Sequence, residues 1–194
     1  MNSSQRLHGF LLAMFALAMV LILEHSANQN PAYALKTGPR KNPLPLTALL
    51  PGDLFLKHPP PNAVEVRAAR ETVEQGAAIV LRGRIGGVPT PFARDRALFL
   101  LADRKLKLCT EGCRTPWDYC CEAKQTILSN LATIQISDGN GRPLKIDIQG
   151  VNGLTPAAEV IVSGTVIQRT RNVFVVDARN IYVKPRPRRS LPKN

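Results

Sequence analysis

The sequence predicts a mostly β protein. It reads as a small antiparallel barrel or sandwich with a cysteine-rich loop between two strands, preceded by an N-terminal apolar helix and a proline-rich linker. Three observations carry this reading. From Gly76 onward, apolar residues recur with a period of two, the spacing of a strand with one buried face. Glycine and asparagine clusters, Gly86-Gly87 and Asp138-Gly139-Asn140-Gly141, punctuate those runs as turns. Eight of the sixteen prolines lie between Pro31 and Pro61, ahead of the patterned region.

The elements follow in order. Phe10 to Leu23 is an uncharged apolar run of fourteen residues with Arg6 before it. That is short for a spanning helix, which takes ~17–25 residues, and suits the apolar core of a secretory signal. Ala32-Tyr33-Ala34 is a candidate cleavage site behind the helix-breaking Pro31. Eleven residues separate Leu23 from that cut, long for a cleavage region. Residues 1–34 therefore read as a signal peptide or a retained membrane anchor. No cysteine follows the apolar run closely enough to carry a lipid. Both readings place the remainder outside the cytoplasm, periplasmic or otherwise extracytoplasmic, secreted or tethered.

Residues 35–63 are the linker, extended and semi-rigid by virtue of their prolines. Leu49, Leu50, Leu54, Phe55 and Leu56 are its candidates for docking on the domain. Residues 64–183 are the barrel domain. Val64 to Val66 suit a short strand, and Arg67 to Glu74 a short helix. In Ile79–Ile85, Ile79, Leu81 and Ile85 share a face opposite Arg82 and Arg84. Leu98–Leu101 is a short, largely buried strand. Ala132, Ile134 and Ile136 alternate with polar residues, then Leu144, Ile146 and Ile148 do so beyond the Asp138–Gly141 turn. Glu159–Gln168 and Val173–Val183 close the domain as two more strands. Gly164 inside the first of them suggests a bulge or a tight barrel bend.

A formal charge of +12 invites a nucleic-acid reading, but its distribution argues otherwise. Residues 62–183 carry sixteen basic and twelve acidic side chains, whereas residues 184–194 carry five basic and no acidic ones. The excess is concentrated in a tail that reads as disordered. Lys184, Arg186, Arg188, Arg189 and Lys193 are its polyanion-contact candidates, with an anionic membrane surface as one partner. A merely solubilising end is the plainer alternative.

The strand Val80-Leu-Arg-Gly83-Arg-Ile85, the strand ending Phe99-Leu-Leu-Ala-Asp103, the strand Val160-Ile-Val-Ser-Gly164-Thr-Val166 and the closing Ala178-Arg-Asn-Ile181-Tyr-Val183 together resemble the OB-fold layout. That resemblance implies an OB-like barrel over about 120 residues. The segment Cys113-Arg-Thr-Pro-Trp-Asp-Tyr-Cys-Cys-Glu122 resembles a core segment of a family of uncharacterised exported bacterial OB-like proteins. It implies fold and compartment and supplies no activity.

Chemistry concentrates at Cys109, Cys113, Cys120 and Cys121, the chain's four cysteines, which enclose its one tryptophan. In an oxidising compartment such a cluster most often forms disulfides. Pairing the adjacent Cys120 and Cys121 closes a strained ring. That leaves Cys109–Cys120 with Cys113–Cys121, or Cys109–Cys121 with Cys113–Cys120, each loop worth about 2–3 kcal/mol in the chain-entropy model. The alternative is a thiolate metal site, with Asp118 and Glu122 nearby. Its C-x3-C-x6-C-C spacing is not that of paired zinc knuckles. A redox-active thiol pair beside Arg114 is a third reading. Trp117 and Tyr119 are either a miniature core under the loop or, with Arg114, an exposed ligand-contact platform.

His8, His25 and His58 all precede the domain, so it has no imidazole for a nucleophile system. Asp95 and Asp103 are carboxylates in strand-end positions, and Asp138 with Asn140 is an incomplete calcium-loop fragment better read as a turn. A single-strand nucleic-acid reader needs outward aromatics among basic residues. Phe99, Phe174 and Tyr182 with Arg82, Arg84, Arg169, Arg171 and Arg179 are the candidates, and export disfavours that partner. The expectation is a non-enzymatic, exported OB-like binding or structural domain of the cell envelope, with no catalytic residues and no cofactor, meeting an envelope component or protein partner. A thiolate metal-binding or redox protein is the alternative, and a single-stranded nucleic-acid binder the second alternative.

Overall fold

The structure, a computed structural model, describes residues 49–110 and 112–186. Residues 1–34, most of the linker, and Arg188, Arg189 and Lys193 of the tail lie outside the described residues. Among the described residues no helix is long and apolar enough to cross a membrane.

The elements are β1 (Val64–Glu65), α1 (Val66–Thr72), β2 (Ala78–Ile85), β3 (Leu98–Ala102), α2 (Lys124–Ser129), β4 (Leu131–Gln135), β5 (Glu159–Arg169) and β6 (Phe174–Val183). The strands run in the order β1-β2-β3-β4-β6-β5, and β5 pairs back onto β2. Five strands, β2 to β6, thus close into a barrel, with β1 laid parallel on β2. Four of the barrel's junctions are antiparallel, while β4–β6 is parallel. This is the OB-like closed barrel, in which full pairing removes exposed edges.

The period of two explains the closure. In β2 the residues Ile79, Leu81, Gly83 and Ile85 are buried and their neighbours are not. The inward side chains of the five strands, with Leu54, Ile148 and Leu154 from the connections, make one core. β5 is long enough to serve two partners because it bends. Its register against β6 shifts at Ser163/Gly164, and a Cβ on Gly164 would collide with the backbone carbonyl of Asp177. The expected bulge is there, and its glycine permits the close approach of two backbones.

α1 packs on β1, β2 and β4 and buries Val66 and Ala69. Arginines hold its C-terminal end. Arg169 donates to the carbonyls of Arg70 and Glu71 at 3.1 and 3.3 Å, where unpaired helix carbonyls favour a cation. Arg70 donates to the Leu131 carbonyl at 2.9 Å, and its guanidinium lies 5.7 Å from the Phe174 ring centroid.

Two expectations need correction, on a strand and on the tail. Leu144, Ile146 and Ile148 alternate but form no strand. Both edges of β4 are taken, by β3 and by β6, so the hairpin ends at the Ser137–Pro143 bridge. The segment instead contributes Ile148 to the core from a loop. The docking expected of the linker's last apolar residues is met at Leu50, Leu54 and Phe55, while Leu49 stays exposed. Leu50 and Leu54 are buried, and Leu54 and Leu56 exchange backbone hydrogen bonds with Ile181 at 2.6 and 2.9 Å. Finally, the tail begins later than Lys184. The Lys184 amide donates to the Glu159 carbonyl at 2.9 Å and its ammonium to the Glu159 carboxylate at 3.0 Å. Arg186 donates to Pro156 and Thr155. These two polyanion-contact candidates are engaged with the barrel rather than presented on a free chain.

Candidate metal centre in the β3–β4 connection

The long connection between β3 and β4 carries the cysteines. A single turn of 3-10 helix, Pro116–Asp118, starts where proline fixes φ. Tyr119 then adopts a left-handed conformation, φ 57° and ψ 36°, which turns the chain before Cys120. Its ring is fully buried in a small cluster with Ala102 and Leu106, flanked by Leu108, Ile127 and Leu131. The expected ligand-contact role of Tyr119 is therefore corrected: a fully buried ring offers no platform, and the residue is the miniature core of its loop. Burial pushes its phenol up, opposed by the neighbouring Arg84 guanidinium. Among the described residues its hydroxyl has no hydrogen-bond partner of normal geometry, and the Arg84 guanidinium is the polar group near it.

Trp117 is half-buried and anchors the loop to the β2–β3 connection. Its indole N–H donates to the Pro89 carbonyl at 3.1 Å, and its own carbonyl accepts from the Gly87 amide at 2.8 Å. Gly87 has φ +105°, and a Cβ on Gly86 would run into the Trp117 carbonyl. Arg114 is exposed on the same loop.

Asp118 is the site residue that sequence reasoning gave too small a part. Its carboxylate accepts from the Thr115 hydroxyl at 2.7 Å and from the Cys120 amide at 2.9 Å. The Thr115 hydrogen bond is the main reason its carboxyl is held below the usual range. An aspartate two residues ahead of an amide is a turn-forming signal, so its positioning role was legible.

The four sulfurs converge. Cys109 Sγ lies 3.0 Å from Cys121 Sγ and 3.4 Å from Cys120 Sγ, Cys113 Sγ lies 3.2 Å from Cys120 Sγ, and the adjacent pair is 4.0 Å apart. All four fall within 4.8 Å of one another. A tetrahedral four-thiolate ion with 2.3 Å bonds needs sulfurs about 3.8 Å apart, and the observed separations bracket that value. Cys109 and Cys113 are half-buried, whereas Cys120 and Cys121 are exposed. Sharing of hydrogens shapes their acidity. Contact with Cys121 lowers the Cys109 thiol, contact with Cys120 raises Cys113 to about 12, and contact with Cys109 raises Cys121 to about 11. Glu122, the other nearby acid, is exposed.

Of the remaining candidates, Arg82, Tyr182 and Lys184 line one surface pocket with Arg104 and Glu159, and the others among the described residues do not line it. Asp103 is fully buried and accepts from the Arg67 and Lys105 amides at 2.8 and 2.9 Å, a structural use. Asp138 closes its turn through the Asn140 and Arg142 amides. Phe99 and Phe174 are buried in the core. Arg82 and Arg104 meet Glu65 at 2.8 and 2.6 Å, and Arg84 meets Glu159 at 3.5 Å. Arg171 and Arg179 are exposed elsewhere on the surface.

No family model and no curated protein matches the chain. Among solved structures, the hypothetical protein ygiW from E. coli is similar to it at 16% identity over 68% of this chain and 96% of that one, with a TM-score of 0.36. A likeness of that strength carries no argument here, and the architecture above rests on strand pairing alone.

Proposed function

We propose that the protein is a non-enzymatic barrel domain, exported to the cell envelope, whose β3–β4 connection holds one metal ion on the thiolates of Cys109, Cys113, Cys120 and Cys121. One observation carries the metal reading: four sulfurs that the sequence spreads over thirteen residues stand within 4.8 Å of one another. Sulfur donors in a tetrahedral set suit zinc. The apolar run Phe10–Leu23 and the site Ala32-Tyr33-Ala34 support export.

A second reading has its own observation. The two shortest separations, Cys109–Cys121 and Cys113–Cys120, together make one of the two disulfide pairings left open above. Oxidation and metal binding compete for the same thiolates. Reduced full-length protein incubated with zinc, desalted and measured by elemental analysis should retain one ion per chain. Cobalt substitution should give a thiolate charge-transfer band, and Cys113→Ser should weaken both. Reduced protein that keeps no zinc and shows no band refutes the metal reading. If alkylation of natively isolated, denatured protein then labels no cysteine, the disulfide reading takes its place.

A further inference from the structure

Resting on that reading, we propose that the four-thiol centre is an exchange site. It is already formed without metal, is open on its Cys120–Cys121 side, and passes zinc to and from a second set of thiolate ligands.

Two observations carry this. The first is that the stretches bearing Cys109, Cys120 and Cys121 are held by contacts that involve no sulfur. Tyr119 is fully buried with Ala102 and Leu106 directly before Cys120. The Cys109 amide donates to the Pro116 carbonyl at 3.1 Å. Asp118 holds the Cys120 amide, and Trp117 is hydrogen-bonded at both its carbonyl and its indole. A small structural zinc module has no comparable core, so metal binding and folding are one event there. Here the loop borrows the barrel's wall as its core, so removing the ion does not cost the fold. The second observation is asymmetry of access. Cys109 and Cys113 are half-buried, whereas Cys120 and Cys121 are exposed. An incoming ligand reaches the ion from that side.

The step is ligand substitution without electron transfer. An incoming thiol gives up its proton and forms a zinc–sulfur bond. The bond from zinc to Cys121 Sγ breaks, and that sulfur takes up a proton. Repetition at Cys120 leaves the ion on Cys109, Cys113 and two foreign sulfurs, from which it moves on or returns.

The test uses the reduced full chain, with and without one equivalent of zinc, and a small dithiol as the competing ligand. Amide hydrogen exchange at Gly87 and Asp118, whose N–H groups donate to the Trp117 and Thr115 carbonyls, should change by less than about twofold on zinc removal, since these bonds do not depend on the ion. The rate of zinc release should rise in proportion to dithiol concentration. Protection that falls by about tenfold or more without zinc, or a release rate indifferent to the dithiol, overturns the exchange site and leaves a structural metal centre standing. Failure of the reduced chain to bind zinc at all removes the metal reading, and the exchange proposal with it.

Discussion

At the scale of single residues, Tyr119 shows how the cysteine loop holds itself. A non-glycine residue in the left-handed region costs about 1–2 kcal/mol, and burial of a large aromatic ring offsets that. The hydroxyl gains little, because among the described residues it has no partner of normal geometry and only the Arg84 guanidinium is near it. Removing an unsatisfied polar atom while keeping the ring should be neutral or stabilising, by about 1 kcal/mol. Tyr119→Phe is therefore expected to unfold at the same or a higher temperature by calorimetry, while Tyr119→Ala loses about 3–5 kcal/mol. A clear loss of stability in the phenylalanine variant would mean that the hydroxyl is satisfied after all. The sequence left the ring's role open for a physical reason. Residue type and spacing show an aromatic beside cysteines, but whether it faces water depends on the wall that β3 and α2 bring beneath it. The convergence of the thiols was hidden likewise, since the left-handed turn that folds Cys120 and Cys121 back has no glycine to announce it.

At the scale of elements, Gly164 is the clearest test of closure. A methyl group there meets the rigid Asp177 backbone rather than a flexible side chain. Gly164→Ala should cost about 2–3 kcal/mol, read as a lower denaturation midpoint with an unchanged slope. No loss would show that β5 bends elsewhere. Strands β2 to β6 were legible because one-sided burial imposes alternation on each. Leu144–Ile148 has the same alternation and is no strand, because pairing depends on a free edge that one segment's pattern cannot reveal. Ion pairs tie the elements and set an acid dependence. The Lys184 hydrogen bond, against partial burial and with the charges of Lys184, Arg84 and Arg104, holds the Glu159 carboxyl below its ordinary 4.5. Burial raises Glu65, but the Arg104 hydrogen bond and the charges of Arg104 and Arg82 outweigh it, so it too is lowered. Their stabilisation is fully present above the unfolded value, near 4.5, and is lost as pH falls through the lower folded values. The unfolding temperature should thus decline below about pH 5, and less steeply in Glu159→Gln. Equal slopes for both proteins would remove Glu159 from the account.

At the scale of the whole molecule, the question is where the folding unit begins. Composition sets a boundary near Val64, because prolines dominate before it and alternation after it. Packing puts the boundary earlier. Leu54 is fully buried and Leu50 nearly so. Phe55 bridges in parallel to Ile181, and the Asn180 side-chain Nδ2 donates to the Asp53 carbonyl at 2.9 Å. Prolines around this stretch suit it, since a preset extended chain loses less entropy on docking than a flexible one. Burying a leucine is worth about 1.5–3 kcal/mol, so the two together represent roughly 3–6 kcal/mol. That is a large share of the 5–15 kcal/mol by which a domain is typically stable. A chain shortened to residues 49–194 keeps the docked segment and is the reference for the next. One shortened to residues 62–194 should unfold markedly lower, or not fold at all, and Leu54→Ala in the full-length protein should move part of the way. If all three unfold together with the parent, the docked segment adds no stability, and the barrel is complete from Val64.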